Sequence, residues 1–390
     1  MIASGRPRRF LFVAPPLVGH VNPMASIARE LELRGHRIGW VLHPSLRHLL
    51  IGDATVHDVA EDDRFAAIMA AVAALPGLPL PEAFMSFYRD VVMPLAATMR
   101  ATVDTALATF RPDAMIVDQH ALAGVFAGRR SGLPWVTSAP TGQLLIRTLD
   151  SFAPTRVWLE TLFAKAEVEA GLLPVPWPDL SPQLVLLYTA PALAGPDFVP
   201  PPWYRIVGPC LLHRTQDPQF PLAALGTLPR VLLSLGTIVD GHGDRFTRTV
   251  LDALGDAPVQ VVAAAPSGFP GTPPRNFIVR AWLPQTHLLP LMHAVISHGG
   301  STVNEALAFG VPMVVAPVTS DNFVMARKVV EAGAGIRVKF RRVGPAELRQ
   351  AVFEVLENPA YRRAAEVLRQ SFTAAGGTPA AADAIEAIGA

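Results

Sequence analysis

Apolar residues in this chain fall into short continuous runs, separated by stretches in which they recur at helical spacing. Residues 10–14, Phe-Leu-Phe-Val-Ala, form the first such run and predict a buried strand. Met24, Ile27, Ala28 and Leu31 then recur every three or four positions. Asn22 is a good helix cap, Pro23 suits a first helical position, and Gly35 can end the helix. Residues 37–43 read as the next strand. Strand, helix and strand in that order make a βαβ unit, which requires a parallel sheet. Residues 114–118 and 134–138 are expected to add strands to it.

Residues 195–218 break the rhythm with a Pro- and Gly-rich stretch, the best linker in the chain. Alternation then restarts, with strands expected at 230–235, 259–264, 277–281, 294–297 and 313–316. Helices are expected between them at 245–254, 301–309, 322–332 and 345–356, and Ala-rich helices over 359–389. The fold class is therefore α/β, with two parallel-sheet domains facing a cleft.

Length agrees with that division, since 390 residues exceed the roughly 250–300 at which one core stops growing. Charged residues are 17% of the chain and hydrophobic ones 51%, with a positive mean hydropathy. Such a surplus must fill large cores or line an apolar pocket. The net charge is +1, from 33 basic and 32 acidic residues, and gives no electrostatic footprint for nucleic acid. Lys occurs only at 165, 328 and 339, so 30 of the basic residues are Arg. With 38 Pro, this fits a GC-rich coding bias. The lone Cys210 suits a reducing cytoplasm.

The basic start followed by 10–14 mimics a signal peptide, but Pro15 and Pro16 stop the run and a helix follows, which favours a first strand. Residues 65–75 are apolar for only 11 positions, short of the roughly 20 a membrane helix needs. No membrane span is expected, and peripheral contact is left open.

His20 lies between the first strand and its helix, in Gly19-His20-Val21-Asn22-Pro23. Ligands of parallel sheets bind beyond the carboxyl ends of strands, so an imidazole here could act as a base near neutral pH. A helix-entry histidine bonded to backbone is the plain alternative. Asp118 ends the run Asp-Ala-Met-Ile-Val-Asp, hence at the same rim. A carboxylate there can hold one imidazole nitrogen and stabilise the imidazolium, although a loop cap would need the same residue.

In the second half, Trp282 of Trp282-Leu283-Pro284-Gln285 offers a flat face for a pyrimidine ring. His298-Gly299-Gly300-Ser301-Thr302 opens the next helix. Glycines let backbone amides approach a diphosphate, and a helix start favours negative charge. Glu305 lies four residues beyond Ser301, on the same helix face, and could chelate ribose hydroxyls. Each of these has a plain alternative: a core tryptophan, a turn glutamine, a capped helix, a solvated glutamate. Asp62-Asp63 lacks the spacing of a metal site and reads as a solvated face, and the histidines show no paired-ligand spacing. No metal ligands are expected.

Taken in order, Trp282 to Asn322 resembles the C-terminal signature of the UDP-glycosyltransferase superfamily, which is inverting and adopts the GT-B fold of two Rossmann-like domains. The resemblance implies a catalytic His20 with Asp118 as its partner. It implies nucleobase contact at Trp282, donor contact at Leu283, ribose contact at Gln285 and Glu305, and phosphate contact at His298, Gly300, Ser301 and Thr302. Ser234-Leu235-Gly236-Thr237 is similar to the family's loop beside the phosphates. Asp321 and Asn322 would grip the transferred sugar, with a helix cap before Phe323 as the plain alternative and one pair able to serve both. Two departures stand out: the His298–Glu305 spacing is one residue shorter than usual, and Asn322 replaces a longer Gln.

The resemblance divides the chain at 1–205 for the acceptor domain and 206–375 for the nucleotide-sugar domain. Residues 376–390 would form a helix crossing back to the first. The donor would be a UDP- or dTDP-sugar, with no cofactor. The acceptor would be a lipophilic natural product, terpenoid, carotenoid or polyketide; Pro-Val-Thr-Ser-Asp-Asn is similar to carotenoid (zeaxanthin) glucosyltransferases. Phe65, Met69, Phe84, Met85, Phe87, Tyr88 and Met93 are candidates for its chamber, although ordinary helix packing explains most of them. A dinucleotide-dependent oxidoreductase would need Gly-x-Gly-x-x-Gly after a strand, and neither half has it. A nucleotide-sugar epimerase and a non-catalytic nucleotide-sugar-binding protein are the remaining rivals.

Overall fold

A computed structural model describes residues 6–145, 153–211, 220–236, 243–266 and 268–388. Its first sheet has seven parallel strands: β1 (Arg9–Val13), β2 (Arg37–Leu42), β3 (Thr55–Asp58), β4 (Ala114–Asp118), β5 (Trp135–Ala139), β6 (Leu184–Leu187) and β7 (Tyr204–Ile206). The second has six: β8 (Arg230–Ser234), β9 (Gln260–Ala264), β10 (Phe277–Arg280), β11 (Ala294–Ser297), β12 (Met313–Val315) and β13 (Gly335–Arg337). The central strands are fully buried apolar runs because helices cover both faces of each sheet.

Strand order is β3-β2-β1-β4-β5-β6-β7 in the first sheet and β10-β9-β8-β11-β12-β13 in the second. Both orders reverse direction once, between β1 and β4 and between β8 and β11. Chain connections leave the sheet on opposite sides at such a point and open a crevice at the carboxyl ends of the two strands. Asp118 ends β4, beside β1, and Ser234 pairs with Ser297 where β8 and β11 end. Two crevices, one per sheet, therefore define where ligands can enter.

The first helix, α1, spans Val18–Leu33, with Leu17 as its N-cap and Pro23 inside it. This corrects the expected start at Asn22-Pro23. Pro23 is the sixth residue of the helix, and the carbonyl deprived of its usual donor is that of Gly19. Gly19 lies on the cleft, where solvent can serve that oxygen. His20 consequently stands in a helical first turn instead of a loop.

The presumed linker also needs correction. Tyr204–Ile206 within it adds the edge strand β7, while residues 212–219 lie outside the described ones. Helix Pro359–Ala375 packs on the second domain, with Leu368 and Phe372 in the same cluster as Val303 and Leu307. Gly376, at φ 88°, then turns the chain into helix Gly377–Glu386, a left-handed conformation that glycine adopts without strain. That last helix buries Ala381, Ala382 and Ile385 beside Phe10, Ile27 and Leu31 of the first domain. Arg34 of α1 reaches Asp383 at 2.6 Å and Glu386 at 2.7 Å, and His36 also meets Glu386 at 2.7 Å. Among the described residues, no helix is long and apolar enough to cross a membrane.

Candidate active site

The two crevices face each other across one cleft of about 260 Å³. On the first wall, the short turn after β1 delivers α1, and its first turn points His20 at Asp118. His20 Nδ1 lies 2.9 Å from Asp118 Oδ2; the carboxylate is fully buried, whereas the imidazole keeps 12% exposure on the cleft side. The other carboxylate oxygen, Oδ1, accepts the backbone N–H of His120 at 2.9 Å. Burial pushes the His20 pKa down, but the charge and hydrogen bond of Asp118, with Asp321 behind them, outweigh it. The net shift is upward from the ordinary histidine value, as expected of a base paired with a carboxylate.

The opposite wall comes from the second sheet. His298 follows β11 and its ring lies close against two glycines. A Cβ on Gly236 would fall 2.6 Å from His298 Cε1, and one on Gly300 would fall 2.5 Å from Nε2. Neither position can carry a side chain without displacing the ring. Burial pushes the His298 pKa down to about 4, although the Ser234 backbone favours its charged form, so the ring is neutral at physiological pH. Gln285 sits at the centre of a polar network. Its Oε1 accepts from Ser234 Oγ at 2.8 Å, and its Nε2 donates to Thr302 Oγ1 at 3.3 Å and to Glu305 Oε2. Trp282 stands 60% exposed at the mouth. Ser301 comes close to the first wall, since a Cβ on Gly19 would lie 3.6 Å from its Oγ.

Of the residues singled out from sequence, His20, Ser234, Gly236, Trp282, Leu283, Gln285, His298, Gly300, Ser301, Thr302, Glu305, Asp321 and Asn322 all line this one cleft. Asp118 stands behind His20, and Thr237 lies outside the described residues. Asn322 takes up the helix cap that is the plain alternative to sugar contact, while still lining the cleft. Only 4% exposed, it closes a capping box, accepting from Thr319 N at 3.1 Å and Thr319 Oγ1 at 2.9 Å. Its amide nitrogen meets Asp321 Oδ1 at 3.3 Å. Burial raises the Asp321 pKa, while His20 across the cleft and the backbone N–H groups of Asp321 and Asn322 oppose that. His293 accepts the Arg230 backbone N–H at 3.0 Å, a structural bond. Asp62 caps helix Asp63–Ala74 by accepting from Phe65 N at 2.9 Å.

Sequence reasoning missed several groups. Pro140 and Thr141 line the cleft directly after β5, where the strand-end rule alone could have found them. It also missed His120, whose ring lies 5.2 Å from that of His20. Ligand-capable atoms of His20, Asp118 and His120 fall within 4.8 Å of one another, although their spacing in the chain shows no pairing. The candidate chamber residues mostly pack. Phe65 stacks on His43 at 3.6 Å, Tyr88 is buried, and Phe84, Phe87 and Met93 lean on the core.

Residues 223–372 match the protein-family model described as "UDP-glucoronosyl and UDP-glucosyl transferase". The match takes in Ser234, Trp282 and the whole His298–Asn322 wall. The second half of the chain matches this family, and the protein is a glycosyltransferase. The enzyme is 29% identical to 4'-demethylrebeccamycin synthase of Lentzea aerocolonigenes over 97% of this chain and 99% of that one. It is 25% identical to the zeaxanthin glucosyltransferase of Pantoea ananas, over 97% and 95%. Among solved structures it is similar to the glycotransferase of kitacinnamycin, with 26% identity, a TM-score of 0.77 and 98% coverage of both chains. Its two Rossmann-like domains are those of a GT-B glycosyltransferase, and its relatives serve bacterial natural-product biosynthesis.

Proposed function

We propose that this glycosyltransferase moves a sugar from a UDP- or dTDP-sugar to a hydroxyl of a lipophilic small molecule, inverting the anomeric centre without a metal ion. One observation carries the reading: the His20–Asp118 dyad opens onto the same cleft as the Trp282–Asn322 wall. In this mechanism the acceptor oxygen attacks the anomeric carbon as its proton passes to His20 Nε2. Nδ1 keeps its proton on Asp118, which stabilises the imidazolium that forms. The bond from the anomeric carbon to the diphosphate breaks on the opposite face, and the nucleoside diphosphate leaves with the electron pair.

On the donor wall, Trp282 would stack on the base, and Glu305 and Gln285 would hold the ribose. The backbone N–H groups at Gly299–Ser301 and the Ser301 and Thr302 hydroxyls would meet the leaving charge. His298, held neutral, would donate a hydrogen bond without adding charge. Asp321 would accept from sugar hydroxyls, with Asn322 fixing it in place. The N-terminal domain would receive the acceptor, for which the low charge of the chain favours an apolar body. We assign the reaction to the cytoplasm, in keeping with a single, buried Cys210.

His20→Ala tests this reading. Donor binding, followed by thermal shift with UDP- and dTDP-sugars, should persist while turnover falls by about 10²–10⁴. Unchanged turnover would remove His20 from the chemistry. An epimerase would turn over its nucleotide-sugar without an acceptor, and a binding protein would turn over nothing.

A further inference from the structure

Surface helices ordinarily set charged or polar residues opposite their buried stripe. Helix Asp63–Ala74 does not. Phe65, Ile68 and Val72 fill the core, yet the opposite face carries Ala66, Ala67, Ala70 and Ala74, all exposed. The chain then passes through buried Leu75 and Pro76 to Gly77, Pro79, Leu80 and Pro81, which are exposed, Leu80 to 40%. Residues 65–81 hold no charged or hydrogen-bonding side chain, and carboxylates flank them at Asp63 and Glu82. Contiguous exposed apolar surface of this kind marks an interaction site.

The opposite chemistry lies beside it. Along 337–341 exposure alternates: Val338 and Phe340 are 4% and 8% exposed in the core of the second domain, whereas Arg337, Lys339 and Arg341 stand outside. Arg342 follows them, also exposed. Arg341 crosses to the first domain and donates to the carbonyl of Pro76, which sets this cationic row against the apolar stretch. Arg245 holds the row's backbone, donating to the carbonyls of Phe340 at 3.3 Å and Val343 at 3.4 Å. Among the described residues, none of the four cations meets a carboxylate.

A soluble polyanion would meet the cations and leave the apolar stretch in water, and an uncharged bilayer would do the reverse. We propose that residues 65–81 and the row 337–342 dock the protein on an anionic lipid surface. The alanine and proline face would lie at the acyl boundary, with Arg337, Lys339 and Arg342 on the headgroups. Helix Leu80–Ser86, which continues the apolar stretch, packs on helix Ser320–Glu331, whose first turn lines the cleft at Asp321 and Asn322. The docked face is thus one helix away from the cleft. On the transferase reading above, an acceptor dissolved in the bilayer would reach it without crossing bulk water.

Co-sedimentation with vesicles of phosphatidylcholine, alone or mixed equally with phosphatidylglycerol, makes the test. The wild type should bind the mixed vesicles and not the neutral ones. Replacing Arg337, Lys339 and Arg342 together by Gln leaves Arg341 bracing Pro76, and binding should weaken about a hundredfold, at about fivefold per cation. Ala70→Gln with Leu80→Gln keeps every charge and should weaken it about tenfold. All these positions are exposed and outside the cleft, so the thermal shift given by nucleotide-sugars should be unchanged in both variants. Absence of wild-type binding, or equal binding to both vesicles, overturns the proposal. So does a loss confined to the charge variant, which would assign the row to a soluble polyanion. Vesicle binding without any nucleotide-sugar binding would keep the docking face and remove the transferase reading instead.

Discussion

The two walls of the cleft are built in opposite ways. The donor wall is nearly one continuous stretch, Trp282 to Asn322, with Ser234 and Gly236 added from β8. Its residues are neighbours in space because they are neighbours in the chain. The base wall gathers His20, Asp118, His120 and Thr141 from the ends of β1, β4 and β5, across more than a hundred residues. Only sheet order brings them together. A local wall can be read as a motif, whereas a dispersed one must be inferred from topology.

The largest effect should come from breaking the dispersed wall. Asp118→Asn keeps the shape of the buried side chain but removes the charge that raises the His20 pKa. kcat should fall by about 10²–10⁴ with donor KM little changed. The pH profile gives the sign. His20 must be deprotonated to act, so wild-type activity falls as the pH drops through a pKa raised above 6.5. Without Asp118, burial acts unopposed by that carboxylate and the limb should move to lower pH. A limb that stays in place would mean that Asp118 does not set the basicity of His20.

The local wall should break more gently and through the donor alone. Gly300→Ala places a methyl 2.5 Å from His298 Nε2, too close for the buried ring to keep its position. Overpacking of this kind costs about 1–3 kcal/mol. Donor KM should rise by about tenfold, with acceptor KM unaffected. Because the His298 pKa is already near 4, the defect should be the same at pH 6 and pH 8. An unchanged donor KM would show that the ring can move freely and has no part in binding.

This contrast also sets how much the sequence revealed. The parallel sheets, the cleft and the order of the donor residues were legible because buried strands need apolar runs and ligands favour strand ends. The start of α1 was misjudged because cap and proline preferences at Asn22 and Pro23 are weak beside the packing of Val21 and Met24 into the core. β7 was hidden in a Pro-rich stretch, since a three-residue edge strand needs only one paired side. Asn322 could be read from sequence as a sugar ligand, a helix cap or both, and its place at the third position of the helix supplies the cap. His120 carried no local signal at all, because its importance comes from β1 lying next to β4.

Asp179 extends the comparison to stability and should give the smallest effect. It lies in the N-terminal half, 6% exposed, with Oδ1 unpartnered and without the cleft exposure that relieves His20. Burial pushes its pKa up to about 7, with its own backbone N–H opposing, against an ordinary value of 3.8. The folded state then holds a proton that the unfolded chain has already released between those two values. Stability contributed by this group is therefore full below the unfolded value and is lost as pH rises toward 7, at up to about 1.4 kcal/mol per pH unit. Asp179→Asn keeps the shape and cannot titrate. The thermal midpoint of the variant should gain on that of the wild type between pH 5 and pH 8, every other ionisable group being shared. A gap that stays constant across that range would show the Asp179 carboxylate to be hydrated or paired in the folded state.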